Sequence, residues 1–215
     1  MTSPNTARTP GGPDAPLTVG FDLDLTLLDT RPGIKATYEA FAAEVGVAID
    51  ADLAVTRLGP PLEHELAYWF PQERVPEMAA RYRSLYPRHA IGPTVPMPGA
   101  RDALRAVHET GGRTLVVTAK NGPHAALHMK HLGMEPDELV GGLWAEGKAE
   151  ALRAHGARVY VGDHTGDVRG AAAAGALSVA VATGPCSAEE LREAGADVVL
   201  TDLTDFRAWW EGYRA

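Results

Sequence analysis

The chain has a single cysteine among its 215 residues, Cys186, so no disulfide can form within it and its stability does not depend on an oxidising compartment. That points to the cytoplasm. Positive charge is also scarce: 20 Lys and Arg against 28 Asp and Glu give a formal net charge of −8. No basic cluster supplies the footprint that nucleic acid or an anionic membrane surface requires. No apolar run approaches the length of a membrane span. Residues 1–16, rich in Pro, Gly and Thr, lack the apolar core of a secretion signal and read as a mobile tail. Nucleic-acid and membrane functions are disfavoured. Hydrophobic residues at 45% and charged residues at 22% describe an ordinary globular protein with room for a substantial core.

What is present begins with Val19 to Asp29, VGFDLDLTLLD. Val19, Phe21 and Leu23 predict a short buried strand over 17–23, and Asp22 and Asp24 stand two residues apart at its carboxyl end, where open α/β sheets place their ligands. Carboxylates this close repel in a dry site unless a cation neutralises one or a proton the other. Thr30 is a candidate N-cap with Pro32 in the first turn, and Ile34, Tyr38, Phe41 and Val45 recur at helical spacing. Further helical pieces follow at 53–58, 62–70 and 74–86, broken by Gly59-Pro60-Pro61 and Pro71. The stretch 91–99, with Pro93, Pro96, Pro98 and Gly99, predicts a stiff connector.

From Ala100 the pattern alternates. Helices are predicted at 100–110, 123–132, 148–155, 168–174, 188–194 and 203–213, and strands at 114–118, 157–161, 177–182 and 196–200. The segment between Leu132 and Lys148 carries no clear signal. Alternation of this kind, with Val-rich strands, predicts a Rossmann-like α/β parallel sheet covered by helices on both faces. The helical block is then an insertion after the first strand, giving a core of 17–30 and 96–215 and an all-helical cap of 31–95.

At the carboxyl edge of that sheet the order of polar residues is Asp22 and Asp24, then Thr118, then Lys148, then Gly162-Asp163-His164-Thr165-Gly166-Asp167. These resemble, in order, the four motifs of the haloacid dehalogenase superfamily, in particular its phosphoglycolate phosphatase-like group with a helical cap. The likeness runs from Leu17 onward and includes Gly59-Pro60-Pro61-Leu62, Pro98-Gly99 and the GADVVLTDLTDF stretch near the end.

The resemblance implies a Mg²⁺-dependent phosphatase acting on a small phosphorylated metabolite, as a monomer or homodimer. Asp22 would be the nucleophile that forms an aspartyl-phosphate and a metal ligand; a carboxylate is competent at a loose phosphoryl transition state. Asp24 would be the general acid and base, its main-chain carbonyl a second ligand. Asp163 would be the third, with Asp167 behind it holding a metal-bound water or Lys148. Thr118, with Thr26, Ala119 and Lys120 nearby, would meet the phosphoryl group, and Lys148 would offset charge. Arg57 and Glu63 flank the cap loop that contacts substrate in the family.

Singly, each residue has a plainer reading: Asp22 and Asp24 as turn residues, Thr118 as a strand end, Lys148 as a helix-start lysine, Asp163 and Asp167 as loop and cap. Their joint order favours catalysis. His124, His128 and His131 read as a solvated helix face rather than a metal site. Phe206, Trp209 and Trp210 read as packing, and Cys186 lacks the setting of a nucleophile. Three departures from the family pattern stand out: Leu25 in place of a glycine, Ala119 in place of Asn, and Ala149 in place of Pro. The competing functions are a phosphomutase of the β-phosphoglucomutase type and a catalytically silent binding protein on the same fold. A phospho-accepting receiver domain is contradicted by an Asp on the first strand and by the helical insertion.

Overall fold

The computed structural model describes residues 16–214; apart from Pro16, the expected N-terminal tail lies outside them. In chain order the elements are β1 (Thr18–Phe21), β2 (Leu28–Asp29), α1 (Arg31–Val45), α2 (Ala51–Val55), α3 (Leu62–Leu66), α4 (Val75–His89), β3 (Val95–Pro96), α5 (Ala100–Glu109), β4 (Arg113–Thr118), α6 (Gly122–Leu132), β5 (Glu138–Gly141), α7 (Lys148–Ala154), β6 (Ala157–Gly162), α8 (Thr165–Ala174), β7 (Leu177–Val181), α9 (Ala188–Glu193), β8 (Val198–Leu200) and α10 (Phe206–Arg214). Six strands form one parallel sheet in the order β5-β4-β1-β6-β7-β8. The chain winds outward from β1 to one side and then, from β6, to the other. The crevice at the carboxyl end of β1 is the switch point of this doubly wound sheet. No helix among the described residues is long and apolar enough to cross a membrane.

The strands are apolar on both faces because both faces are covered. On one side, Val19 and Phe21 of β1 join Val107 of α5, Met129 of α6, and Phe206 and Trp210 of α10. On the other, Leu115 and Val117 of β4 join Leu152 of α7 and Ala171 of α8. Gly20 belongs to that second face, where a Cβ would come within 2.8 Å of Tyr160 and 2.9 Å of Leu152. The missing side chain lets the Tyr160 ring lie against β1. The expectation of Phe206 and Trp210 as packing residues holds: both are fully buried, and the Trp210 indole donates to Thr110 (3.0 Å).

Helices α1 to α4 bury a core of their own, in which Ile34, Tyr38 and Phe41 of α1 meet Met78, Tyr82 and Tyr86 of α4. The i, i+4, i+7 spacing of the first set and the i, i+4, i+8 spacing of the second put each on one face. The connector predicted at 91–99 runs beside the segment that enters the helical block: β2 and β3 pair antiparallel, Leu28 opposite Pro96 and Asp29 opposite Val95. Thr30 sits at the N-cap of α1 but makes no capping bond, because its hydroxyl is used elsewhere, as described below. Helix α4 passes through Pro87 to His89 rather than stopping at Tyr86. The unassigned stretch before Lys148 contains the edge strand β5, a partly buried ELVG whose single partner among the described residues is β4.

Candidate active site

Two side chains that leave the same loop after β1 enter different surroundings. The Asp22 N–H extends the ladder, donating to Val161 O (2.8 Å), and its carboxylate turns into the core. There Lys148, fully buried at the start of α7, donates to Asp22 Oδ1 (2.8 Å), Asp167 Oδ1 (2.6 Å) and the Tyr160 hydroxyl (2.7 Å). All three ammonium protons are taken. Tyr160 passes its own proton to Val117 O (2.7 Å). Asp163, just past β6, accepts the Thr26 hydroxyl on Oδ1 (2.8 Å). Asp167 is the N3 residue of α8, where its Oδ2 accepts the His164 N–H (3.1 Å), so its capping role and its hold on Lys148 coexist.

One oxygen from each of Asp22, Asp163 and Asp167 can be found within 4.8 Å of the others. Burial pushes the Asp22 carboxyl up to about 7 against the pull of Lys148, with Asp167 adding to the rise. Burial, then Asp167 and Asp22, hold Asp163 well above the usual carboxylate range. Lys148 is raised, since the two carboxylates outweigh its own desolvation. Three buried carboxylates thus share one ammonium. A set of hard oxygen donors with surplus negative charge fits a divalent cation such as Mg²⁺.

Asp24 faces the cap. Its Oδ1 accepts the Thr30 hydroxyl (2.6 Å) and its Oδ2 lies 3.1 Å from Lys120 Nζ. Lys120 also donates to the hydroxyl of Tyr86, on α4 (2.7 Å). That hydroxyl lies 3.0 Å from His128 Nε2. With its oxygen accepting from an ammonium, Tyr86 donates its proton to Nε2, which leaves the His128 proton on Nδ1, a buried atom with no partner among the described residues. His124 stacks on the Tyr86 ring at 4.7 Å. His128 is fully buried, so the solvated face expected of this helix is wrong for it: α6 turns His128 towards the cap, and only His131 is exposed. A cavity opens from Asp24 between core and cap, with Ala119, Lys120, Arg57, Glu65 and Arg83 in its wall.

Of the other residues singled out in the sequence, Thr118 is buried and its hydroxyl accepts the Lys120 N–H (3.1 Å). Thr26 is buried and spends its hydroxyl on Asp163 rather than turning to the cavity. Arg57 is on the wall; Glu63 is not, and pairs with Arg83 (2.7 Å). Glu65 takes the place on the wall that Glu63 was expected to have, because residues two apart on α3 point to opposite sides. Leu25 is buried with φ 59°, the left-handed conformation in which a glycine is unstrained. Across the cleft, Gly59 of the cap loop lies against His164, where a Cβ would come within 2.7 Å of the ring. Tyr86, Tyr160 and Glu65 carried no signal in the sequence and His128 was read only as part of a solvated face, since each acquires its role through partners distant in the chain or through the phase of a short helix.

This sheet order, the helical insertion after its first strand and a carboxylate cluster at the switch point define a capped Rossmann-like hydrolase. The chain belongs to the haloacid dehalogenase-like hydrolase family, whose model matches residues 19–181. It is 30% identical over 213 residues to the tyrosine-protein kinase PtkA of Mycobacterium tuberculosis, covering 92% of this chain and 72% of that one. It is 33% identical over 200 residues to a phosphoglycolate phosphatase of Xylella fastidiosa, covering 81% and 84%. A haloacid dehalogenase-like hydrolase from Streptococcus pneumoniae superposes with a TM-score of 0.79 at 25% identity, covering 91% of this chain and 98% of that one.

Proposed function

We propose that this protein is a Mg²⁺-dependent phosphatase that hydrolyses a small phosphomonoester by way of a phosphoryl group on Asp22. The observation that carries the reading is the division of labour after β1: Asp22 joins the carboxylate cluster on Lys148, while Asp24 faces the cavity.

The Asp22 carboxylate attacks phosphorus in line, forming an O–P bond as the bond to the leaving oxygen breaks. Asp24 delivers a proton to that oxygen, then takes one from the water that attacks phosphorus, releasing phosphate and regenerating Asp22. Lys148 fixes the rotation of the Asp22 carboxylate through Oδ1 and offsets its charge. Thr118 donates its proton to a phosphoryl oxygen. Asp22, Asp163 and Asp167, with the main-chain carbonyl of Asp24, would hold the metal ion. When bound it supplies positive charge against the phosphoryl oxygens and the crowded carboxylates. The cap keeps bulk water from the site.

The test is phosphate release from a set of phosphomonoesters with and without Mg²⁺, using the protein and Asp22→Asn. Metal-dependent release that disappears in Asp22→Asn is expected; turnover that survives the substitution contradicts the mechanism. A phosphomutase, or a kinase, would pass the phosphoryl group to a hydroxyl instead of water. Phosphate released would then fall short of substrate consumed.

A further inference from the structure

The cavity between Asp24 and the cap receives whatever departs from phosphorus, so its chemistry states what that group is. It contains three cations, and each already has a carboxylate of its own. Lys120 lies 3.1 Å from Asp24. Arg57 meets Glu65 through both arms of its fork (2.9 and 2.5 Å), and Glu65 is further fixed by the Trp69 indole N–H (2.9 Å). Arg83 is paired with Glu63 (2.7 Å).

Among the described residues neither arginine of this wall is left over for a second anion on the ligand, and Lys120 is matched while Asp24 is ionised. Burial, Lys120 and Arg83 hold the His124 ring below its ordinary value, so it adds no charge at neutral pH. The field at Tyr38 has the same character: after burial, Glu65 is the largest cause raising its hydroxyl, ahead of the opposing Arg57. The remaining wall includes Ile34, Leu58 and the Tyr82 ring. An anion entering this space would lose its water and meet Glu65, whose side chain is only 12% exposed, without gaining an unpaired arginine.

We propose that the cap selects phosphomonoesters whose leaving alcohol is uncharged, and that Glu65 is the specificity-determining residue because it cancels Arg57. This rests on the phosphatase reading and narrows it. The arginine that flanks the cap loop is a wall held neutral rather than a grip for a carboxylate or a second phosphate. Alcohol, polyol and sugar leaving groups fit; glycolate and phosphate do not.

The experiment compares two matched pairs in the presence of Mg²⁺: 2-hydroxyethyl phosphate against 2-phosphoglycolate, and phenyl phosphate against 4-carboxyphenyl phosphate. In the unmodified protein, kcat/KM is expected to favour the uncharged member of each pair by about tenfold or more. Glu65→Gln frees Arg57 and should move both ratios towards the charged member by about tenfold, chiefly through KM. Preference of the unmodified protein for the charged members overturns the proposal. So do unchanged ratios in a Glu65→Gln protein that melts cooperatively. Should Glu65→Gln fail to fold, the ranking in the unmodified protein decides. Release from none of the four overturns the phosphatase reading itself, whereas release with the charged esters preferred overturns the selectivity alone.

Discussion

On the core side of the site, three buried carboxylates share one ammonium; on the cap side, Lys120, Arg57 and Arg83 each face a carboxylate of their own. The two regions meet across one residue of sequence, Leu23, which stands between Asp22 and Asp24. Surplus charge on one side calls for a cation and an anionic group in transfer. Balance on the other suits an uncharged group that leaves with a proton. The difference arises from topology: the core side is assembled at the switch point of a parallel sheet, the cap side from the helices inserted after β1 together with Lys120 from the loop after β4.

The largest expected effects fall on the shared ammonium. Lys148→Met should reduce turnover by about 10³-fold or more and cost about 3–5 kcal/mol in the metal-free protein, since Asp22 and Asp167 lose their buried partner. Asp22→Asn should also abolish turnover, yet raise the metal-free melting temperature by removing a crowded charge. Calorimetry of the two variants, with and without Mg²⁺, breaks the comparison if both move the same way.

The two sides should also give pH dependences of opposite sign. With Asp22 raised from 3.8 to about 7, the metal-free folded state binds more protons than the unfolded one. That contribution is present at low pH and is lost as pH rises from about 4 to about 7. His128 is lowered from 6.5 to about 4, by burial and then by Lys120, so its contribution is complete above 6.5 and is lost as pH falls to about 4. Its ceiling is about 3 kcal/mol. Urea melts across this range should steepen in the Asp22 direction for His128→Gln and flatten when Mg²⁺ is added.

A smaller effect sharpens the cap side. Tyr86→Phe keeps the stacked ring but removes the hydroxyl between Lys120 and His128. It should lower kcat several-fold, and the loss should not add to that of Lys120→Met; a coupling of about 1 kcal/mol in the double-mutant cycle is expected. Full additivity would show that Tyr86 acts only through packing. Smallest is the loop between the two regions. Because Leu25 has φ 59°, Leu25→Ala should be less stable than Leu25→Gly by about 1 kcal/mol, the reverse of the usual order.

Most of the sheet was legible because its strands are Val-rich and its helices periodic, and the motif residues could be placed because each lies at or just beyond a strand end or helix start. Strand β5 was not: an edge strand with one partner needs only a half-buried ELVG, and that pattern is indistinguishable from a loop. The pairing of β2 with β3 rests on two residues each, one of them a proline. Leu25 could be picked out as unusual, but its left-handed backbone could not. Thr30 was expected to cap α1, and sequence offers no way to see its hydroxyl go to Asp24 instead. The cap side was read least well, since Tyr86 meets Lys120 across 34 residues and His128 across 42. Long-range pairing of polar side chains leaves no periodic trace.

The central claim is that phosphorus passes through Asp22. Asp24→Asn should slow the hydrolysis of the phosphorylated protein more than its formation from an activated aryl phosphate. Borohydride reduction of that variant, quenched during turnover with Mg²⁺, should then convert residue 22 to homoserine, detected by peptide mass spectrometry. Reduction at any other residue, or none under conditions where phosphate is being released, would contradict the account.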